Sequence, residues 1–289
     1  MYSFIHEKLI FLTGATSGIG RVAACTLAKQ GANVIATVRN EDRGKDLIKY
    51  FQKHYPMPEG NLQTIQCDLS SFASIHSAIE AVNEKYSRLD TLINNAGVWK
   101  ERLERTEDGV ETILQVNVLA PHLFMTGFKD LLSRSKDARI INTASCRHKG
   151  NIRFDNIEFT DDFKGFKVYR QSKLAVILLS RLMAVTLKRE KIAVYSVHPG
   201  LVRTNLARDT NWFKRNVFLL LGTSPTKGAE TMLYLANASR KDLISGEYYV
   251  NKKISTSSEL SKDIAVARKL VLVLNQYTKT YQKNCAIKY

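Results

Sequence analysis

Thr13-Gly14-Ala15-Thr16-Ser17-Gly18-Ile19-Gly20 links an apolar run, Leu9–Thr13, to a helical pattern beginning near residue 19. Glycines at such a junction let a pyrophosphate reach the free N–H groups of the helix's first turn, because no Cβ stands in the way. A tight strand-to-helix turn would use the same residues, so the surrounding pattern decides. Further apolar runs lie at Asn33–Val38, Leu62–Cys67, Thr91–Asn94, Arg139–Thr143, Ala193–His198 and Glu247–Val250. They are continuous rather than alternating, as strands covered on both faces require. Helical patterns fall between them at about 19–30, 41–54, 72–87, 107–135, 167–190 and 226–237, with a last amphipathic stretch over 259–274. Strand–helix alternation of this kind predicts an α/β fold with a doubly wound parallel sheet and ligands at the C-terminal strand ends.

The 289 residues exceed the ~150 of an average domain, but single sheets of this size are common. No Pro/Gly/Ser-rich linker, charge block or repeat divides the chain. Residues 1–289 therefore read as one domain, a Rossmann fold with helices on both faces. Hydrophobic residues make up 44% and aromatics 9%, enough for a sizeable core. The net charge of +16 favours anionic partners. Basic residues are scattered, with Lys188-Arg189 and Lys252-Lys253 among the few adjacent pairs, so no nucleic-acid groove is expected. Cys25, Cys67, Cys146 and Cys285 show no C-x-x-C spacing and read as thiols of a reducing compartment. The six histidines include no pair at metal-ligand spacing, so no metal is expected. Leu9–Leu12 is too short for a signal peptide, and no apolar run reaches the ~18 residues of a membrane span. The expectation is a cytoplasmic protein.

The end of the second strand is where a dinucleotide's ribose is read. An acid there accepts from the 2′-hydroxyl of NAD, whereas an arginine pairs with the 2′-phosphate of NADP. The sequence is Thr37-Val38-Arg39-Asn40, without an acid. Arg39 is the candidate ligand and NADP(H) the expected cofactor ahead of NAD(H), with Arg21 a second candidate; an ordinary loop arginine is the alternative for Arg39. The spacing Gly14-x-x-x-Gly18-x-Gly20 resembles the T-G-x-x-x-G-x-G of the short-chain dehydrogenase/reductase family, and the resemblance runs along nearly the whole chain. Cys67-Asp68-Leu69 is similar to the third-strand end that puts Asp68 beside the adenine. Asn94-Asn95-Ala96-Gly97 is similar to the family's N-N-A-G, and Pro199-Gly200 followed by Thr204 to the turn that contacts the nicotinamide. The cofactor set so implied is Gly14, Thr16, Ser17, Gly18, Ile19, Gly20, Arg39, Asp68, Leu69, Asn95, Ala96, Gly97, Tyr169, Lys173, Pro199, Gly200 and Thr204. Cys67-Asp68-Leu69-Ser70-Ser71, Tyr195-Ser196-Val197-His198-Pro199-Gly200, the insert Arg147–Lys167 and the carboxyl-terminal helix resemble the retinol dehydrogenase-like branch. Members of that branch often begin with a membrane anchor, for which no segment is read here.

Asn117, Ser145, Tyr169 and Lys173 fit the family's catalytic tetrad. Reducing a carbonyl needs a hydride and a proton, and free tyrosine, with a pKa of ~10, is a poor base near neutrality. Tyr169 and Lys173 are four residues apart on one helix face, so the ammonium is expected to stabilise the tyrosinate, at roughly 1.4 kcal/mol per pKa unit. Ser145, at the end of the fifth strand, would orient the substrate's carbonyl oxygen together with Tyr169. The resemblance further implies that Lys173 holds the nicotinamide ribose and that Asn117 interrupts its helix to hold a water. His198 is either a substrate contact or a core histidine. The helix carrying Tyr169 is apolar nearly all round, through Val176-Ile177-Leu178-Leu179 and Leu182-Met183. It is buried by its own sheet or by a partner subunit, and the resemblance implies a homodimer there.

A substrate loop is expected over about 200–225. Its segment Trp212–Leu221 is apolar and aromatic, suiting a lid over a retinoid, a steroid or a long-chain aldehyde. Lys214 and Arg215 beside Phe218–Leu221 would allow a peripheral membrane contact; a fixed helix on the sheet edge is the alternative. The chemistry so read is an NADP(H)-dependent oxidoreductase acting on a small-molecule alcohol or carbonyl. A regulatory or scaffold protein that keeps the cofactor without turnover is the other class, and the whole tetrad speaks against it.

Overall fold

Side chains of β1 (Leu9–Leu12) divide by parity in the computed structural model, which describes residues 5–202 and 222–281. Leu9 and Phe11 enter one core, and Ile10 and Leu12 the other. Successive Cβ atoms of a strand point to opposite faces, so a strand covered on both sides takes apolar residues at every position. β2 (Asn33–Val38), β4 (Thr91–Asn94), β5 (Arg139–Thr143) and β6 (Ala193–His198) divide their apolar residues between the two cores by the same parity. With β3 (Asn61–Gln66), β7 (Tyr248–Val250) and β8 (Lys253–Ile254), they form one sheet ordered β3-β2-β1-β4-β5-β6-β7-β8.

All the pairings from β3 to β7 are parallel, and β8 is antiparallel to β7. This edge hairpin departs from the purely parallel sheet read in the sequence. Its two loop residues, Asn251 and Lys252, have φ of 49° and 65°. That is the left-handed conformation of a two-residue hairpin turn, reached without the glycine that would have announced it.

Helices α1 (Gly18–Lys29) and α2 (Glu41–His54) cover one face, joined by α8 (Pro225–Asn237). The other face is covered by α3 (Phe72–Lys85), the segment 112–133, α7 (Gly165–Thr186) and α9 (Ile264–Thr278). Here α7 settles the question left by its apolar circumference. Leu174, Leu178, Leu182 and Met183 bury against the core that also holds Ala267, Leu270 and Leu274 of α9, so its burial needs no partner subunit.

Two helix boundaries are corrected. The stretch read as one helix over 107–135 starts only at Thr112, where the Glu111 carboxylate accepts from the N–H groups of Ile113 and Leu114 at 2.7 Å each. It then runs as α4 (Thr112–Leu114), a π turn (Gln115–Leu119), α5 (Ala120–Gly127) and α6 (Lys129–Ser133). The stretch 259–274 opens instead as a 3₁₀ turn, Glu259–Lys262, and Asp263 then caps α9 through Ala265 and Val266.

Candidate active site

The strand order reverses between β1 and β4, and at their carboxyl ends lies a cleft of about 1150 Å³. That exceeds the ~300–1,000 Å³ of a drug-sized pocket, leaving room for a dinucleotide and a second molecule. Gly14 and Gly18 have φ of +75° and +55°, and a Cβ on Gly20 would stand 2.1 Å from the Gly14 carbonyl oxygen. The loop therefore folds onto its helix in a way only glycine permits. Asn95 holds it from β4: its amide donates to the Thr13 carbonyl at 3.0 Å, while the Thr13 hydroxyl accepts from the N–H groups of Asn95 and Ala96. Ser17 stands at the N-cap of α1 without a side-chain cap, so first-turn N–H groups face the cleft. Such donors, with the cations described next, fit a phosphorylated dinucleotide.

Of the expected cofactor residues, Gly14, Thr16, Ser17, Gly18, Ile19, Gly20, Arg39, Asp68, Leu69, Asn95, Ala96, Gly97, Tyr169, Lys173, Pro199 and Gly200 line this one cleft. Thr204, the segment Trp212–Leu221 and Cys285 lie outside the described residues. At the ribose end, Arg39 Nε is 3.6 Å from Asp68, whose carboxylate also accepts from the Ser70 amide and hydroxyl. Arg21 is not there. Its guanidinium lies 4.3 Å from the centre of the Tyr50 ring, stacked on α2. A further cation lining the cleft is Arg43, in the first turn of α2, which sequence reading passed over. One turn separates it from Arg39, and the Asn40 cap that starts α2 there was the available signal.

Ser145, Tyr169 and Lys173 converge at the far end, all nearly buried. The Ser145 oxygen accepts from the Arg147 N–H at 3.1 Å, and Ser145 lines this end of the cleft together with Tyr169. Lys173 Nζ donates to the Thr143 carbonyl at 2.9 Å and lies 5.7 Å from the centre of the Tyr169 ring. The expected lowering of Tyr169 by Lys173 is not what dominates. Burial pushes the Tyr169 hydroxyl up to about 12, against the lowering effect of Ser145 and with Cys146 adding to the rise. Burial likewise brings Lys173 down to about 8. In this dry arrangement Tyr169 is a phenol at neutral pH, a proton donor.

Asn117 sits behind the cleft wall, 1% exposed, in the π turn. Its carbonyl oxygen accepts from the Val98 N–H at 2.8 Å, and its amide donates to the Val98 carbonyl and to the Ser172 hydroxyl. The side chain thus clamps the loop after β4 to α7. His198 lines the cleft, and its Nδ1 has no hydrogen-bond partner among the described residues. Burial, His148 and Arg147 together bring it down to about 4, so it is neutral.

Aromatic residues missed in the sequence line the mouth. Trp99 stacks on Tyr169 with ring centres 5.4 Å apart and packs against Phe166, which is 38% exposed. Trp99 lies two residues after the Asn94-Asn95-Ala96-Gly97 motif, and that position just past a strand end was the signal.

Residues 8–214 match the family model described as short chain dehydrogenase. Retinol dehydrogenase 14 of Homo sapiens is 33% identical over 284 residues, covering 92% of this chain and 84% of that protein. Among solved structures, one from Mycobacterium paratuberculosis superposes with a TM-score of 0.78 at 24% identity, over 99% of this chain and 96% of that one. The RhlG/NADP active-site complex of Pseudomonas aeruginosa gives 0.68 at 25% identity, over 86% and 96%.

Proposed function

The chain belongs to the short-chain dehydrogenase/reductase family, on its retinol dehydrogenase-like side, and from that premise we propose that it is an NADP(H)-dependent oxidoreductase interconverting a lipophilic alcohol and its carbonyl. The observation that carries this is the convergence of Ser145, Tyr169 and Lys173 at one end of the dinucleotide-sized cleft. Bound NADPH would supply the hydride. The glycine loop and α1 would take its pyrophosphate, Arg39 and Arg43 its 2′-phosphate, and Lys173 the nicotinamide ribose.

Reduction needs a proton on the oxygen that receives the developing charge. Tyr169, kept protonated by burial, donates it from Oη, and Ser145 fixes the carbonyl oxygen beside that hydroxyl. Lys173 and the Thr143 carbonyl place a cation behind the ring, where it stabilises the phenolate left after transfer. In the oxidative direction Tyr169 must first lose its proton, so a higher pH favours that direction. Trp99, Phe166, Val98 and Leu201 give the mouth an apolar lining, which supports a lipophilic substrate. The name of retinol dehydrogenase 14 points the same way.

The test is NADPH consumption with retinal, decanal and an aromatic ketone. Tyr169→Phe is expected to reduce turnover to below a tenth of wild type with NADPH affinity almost unchanged, and Lys173→Ala to weaken both. A Tyr169→Phe enzyme that kept a tenth or more would remove the tyrosine from its role. NADPH binding with no turnover of any probe would favour a regulatory protein.

A further inference from the structure

His148, three residues after Ser145, folds back so that its ring is 4% exposed. Nδ1 lies 2.6 Å from the Ser145 carbonyl oxygen, and Nε2 lies 3.1 Å from the amide nitrogen of Ser258. A carbonyl oxygen only accepts and an amide N–H only donates. The two ring nitrogens are therefore not interchangeable: Nδ1 carries the proton and Nε2 the lone pair.

The partners on either side are themselves fixed. The Ser145 hydroxyl is held by the Arg147 N–H and its main-chain carbonyl by His148, so the two are pinned at separate points. Ser257, next to Ser258, accepts from the Arg181 guanidinium of α7 at 3.3 Å and from the Ser261 hydroxyl at 2.7 Å. The segment leading into α9 is thus anchored to the helix that bears Tyr169 and Lys173. The ring of Tyr248 stands edge-on to His148 at 5.2 Å.

We propose that His148, as its neutral Nδ1–H tautomer, is a positioning residue that fixes Ser145 beside Tyr169 by donating from Nδ1 to the Ser145 main-chain carbonyl, while the Ser258 N–H on Nε2 holds the ring in that tautomer. Its charged and titratable neighbours are Lys149 on the same loop, His198 on β6 and Tyr248 on β7; the C-terminal segment contributes the Ser258 amide. Burial holds His148 below its ordinary value, with the Ser145 hydrogen bond opposing and Lys149 reinforcing, so the neutral form prevails at neutral pH. An imidazolium would turn a second N–H toward the Ser258 N–H and open the clip.

The inference rests on the role given to Ser145 above, and Tyr169→Phe, run alongside, tests that role separately. Nitrogen-15 NMR of the histidine-labelled full chain, without cofactor, reports which ring nitrogen is protonated. The expected result at pH 7 is Nδ1–H with a bare Nε2; an Nε2–H tautomer or an imidazolium would overturn the proposal. Kinetics form the second arm, with NADPH and decanal. An Asn amide can reproduce the Nδ1 donor to Ser145, whereas Gln reaches only the Nε2 position. His148→Asn is expected to stay within about threefold of wild type in kcat/KM, and His148→Ala and His148→Gln to fall by about tenfold or more, because small misplacements cost up to ~10²-fold. NADPH affinity should be the same in all four proteins. Wild-type kcat/KM in a folded His148→Ala would refute the proposal. If His148→Ala does not fold, equal values for the Asn and Gln variants would refute it instead.

Discussion

Arg39 and Asp68 face each other at 3.6 Å with both side chains substantially exposed, a pairing worth ~0–1 kcal/mol. A charge-assisted contact to a 2′-phosphate is worth roughly 1.5–3 kcal/mol, so a 2′-phosphate offered to the site would win the arginine from Asp68. Arg39→Asp is accordingly expected to erase or invert a preference for NADPH over NADH. Arg43→Ala should weaken NADPH by a smaller factor and leave NADH unchanged. Fluorescence titration measures both, with Trp99 in the cleft as reporter. Equal dissociation constants for the two cofactors in the wild type would end this assignment. At the catalytic end burial outweighs the lowering effect of Ser145 on Tyr169, so the phenol keeps its proton at neutral pH.

The segment 112–133 shows what one buried carboxylate does to an element. Glu111 is fully buried, and burial raises its carboxyl from 4.5 to about 7, with the two N–H groups it caps pulling down, Glu158 pushing up and Arg105 pulling down. The folded state therefore holds a proton between about pH 4.5 and 7 that the unfolded chain has released. Stability from this group falls as pH rises through that window, by roughly 3 kcal/mol in all. Glu111→Gln removes the effect. Its stability relative to wild type, from urea unfolding, is expected to improve between pH 4.5 and 7.5; a constant difference would mean the carboxyl does not titrate there. The same cap starts the helix whose π turn holds Asn117, which in turn clamps Val98 beside the cleft.

Over the whole molecule the titrating groups oppose one another. Burial holds His122 and His198 near 4 and lowers His148, while an unfolded histidine titrates near 6.5. Between about pH 5 and 6.5 the unfolded chain binds more protons at these rings, and Glu111 offsets only one of them. Stability is expected to rise with pH across that interval, by roughly 1.4 kcal/mol per unit for each net proton. Melting temperature against pH checks this, and a flat or falling curve would contradict it. His122 and His148 are buried and His198 lines the cleft, so burial is the leading cause at each ring.

Sequence alone determined what local pattern can encode. Continuous apolar runs mark strands covered on both faces, the glycine spacing marks a close approach to a helix end, and Tyr169 and Lys173 share a face because they are four residues apart. Tertiary structure decided what depends on neighbours distant in the chain. Arg21 and Arg43 are both arginines near the loop, yet packing turns one onto Tyr50 and leaves the other in the cleft. The apolar girth of α7 called for a cover, and only the fold names α9 as that cover. His148 and Ser258 are 110 residues apart, so no spacing rule joins them. The rise in Tyr169 comes from dry surroundings assembled by several elements at once. Burial and hydrogen-bond pairing belong to an assembled environment, and that is why they escape a reading of the residues in order.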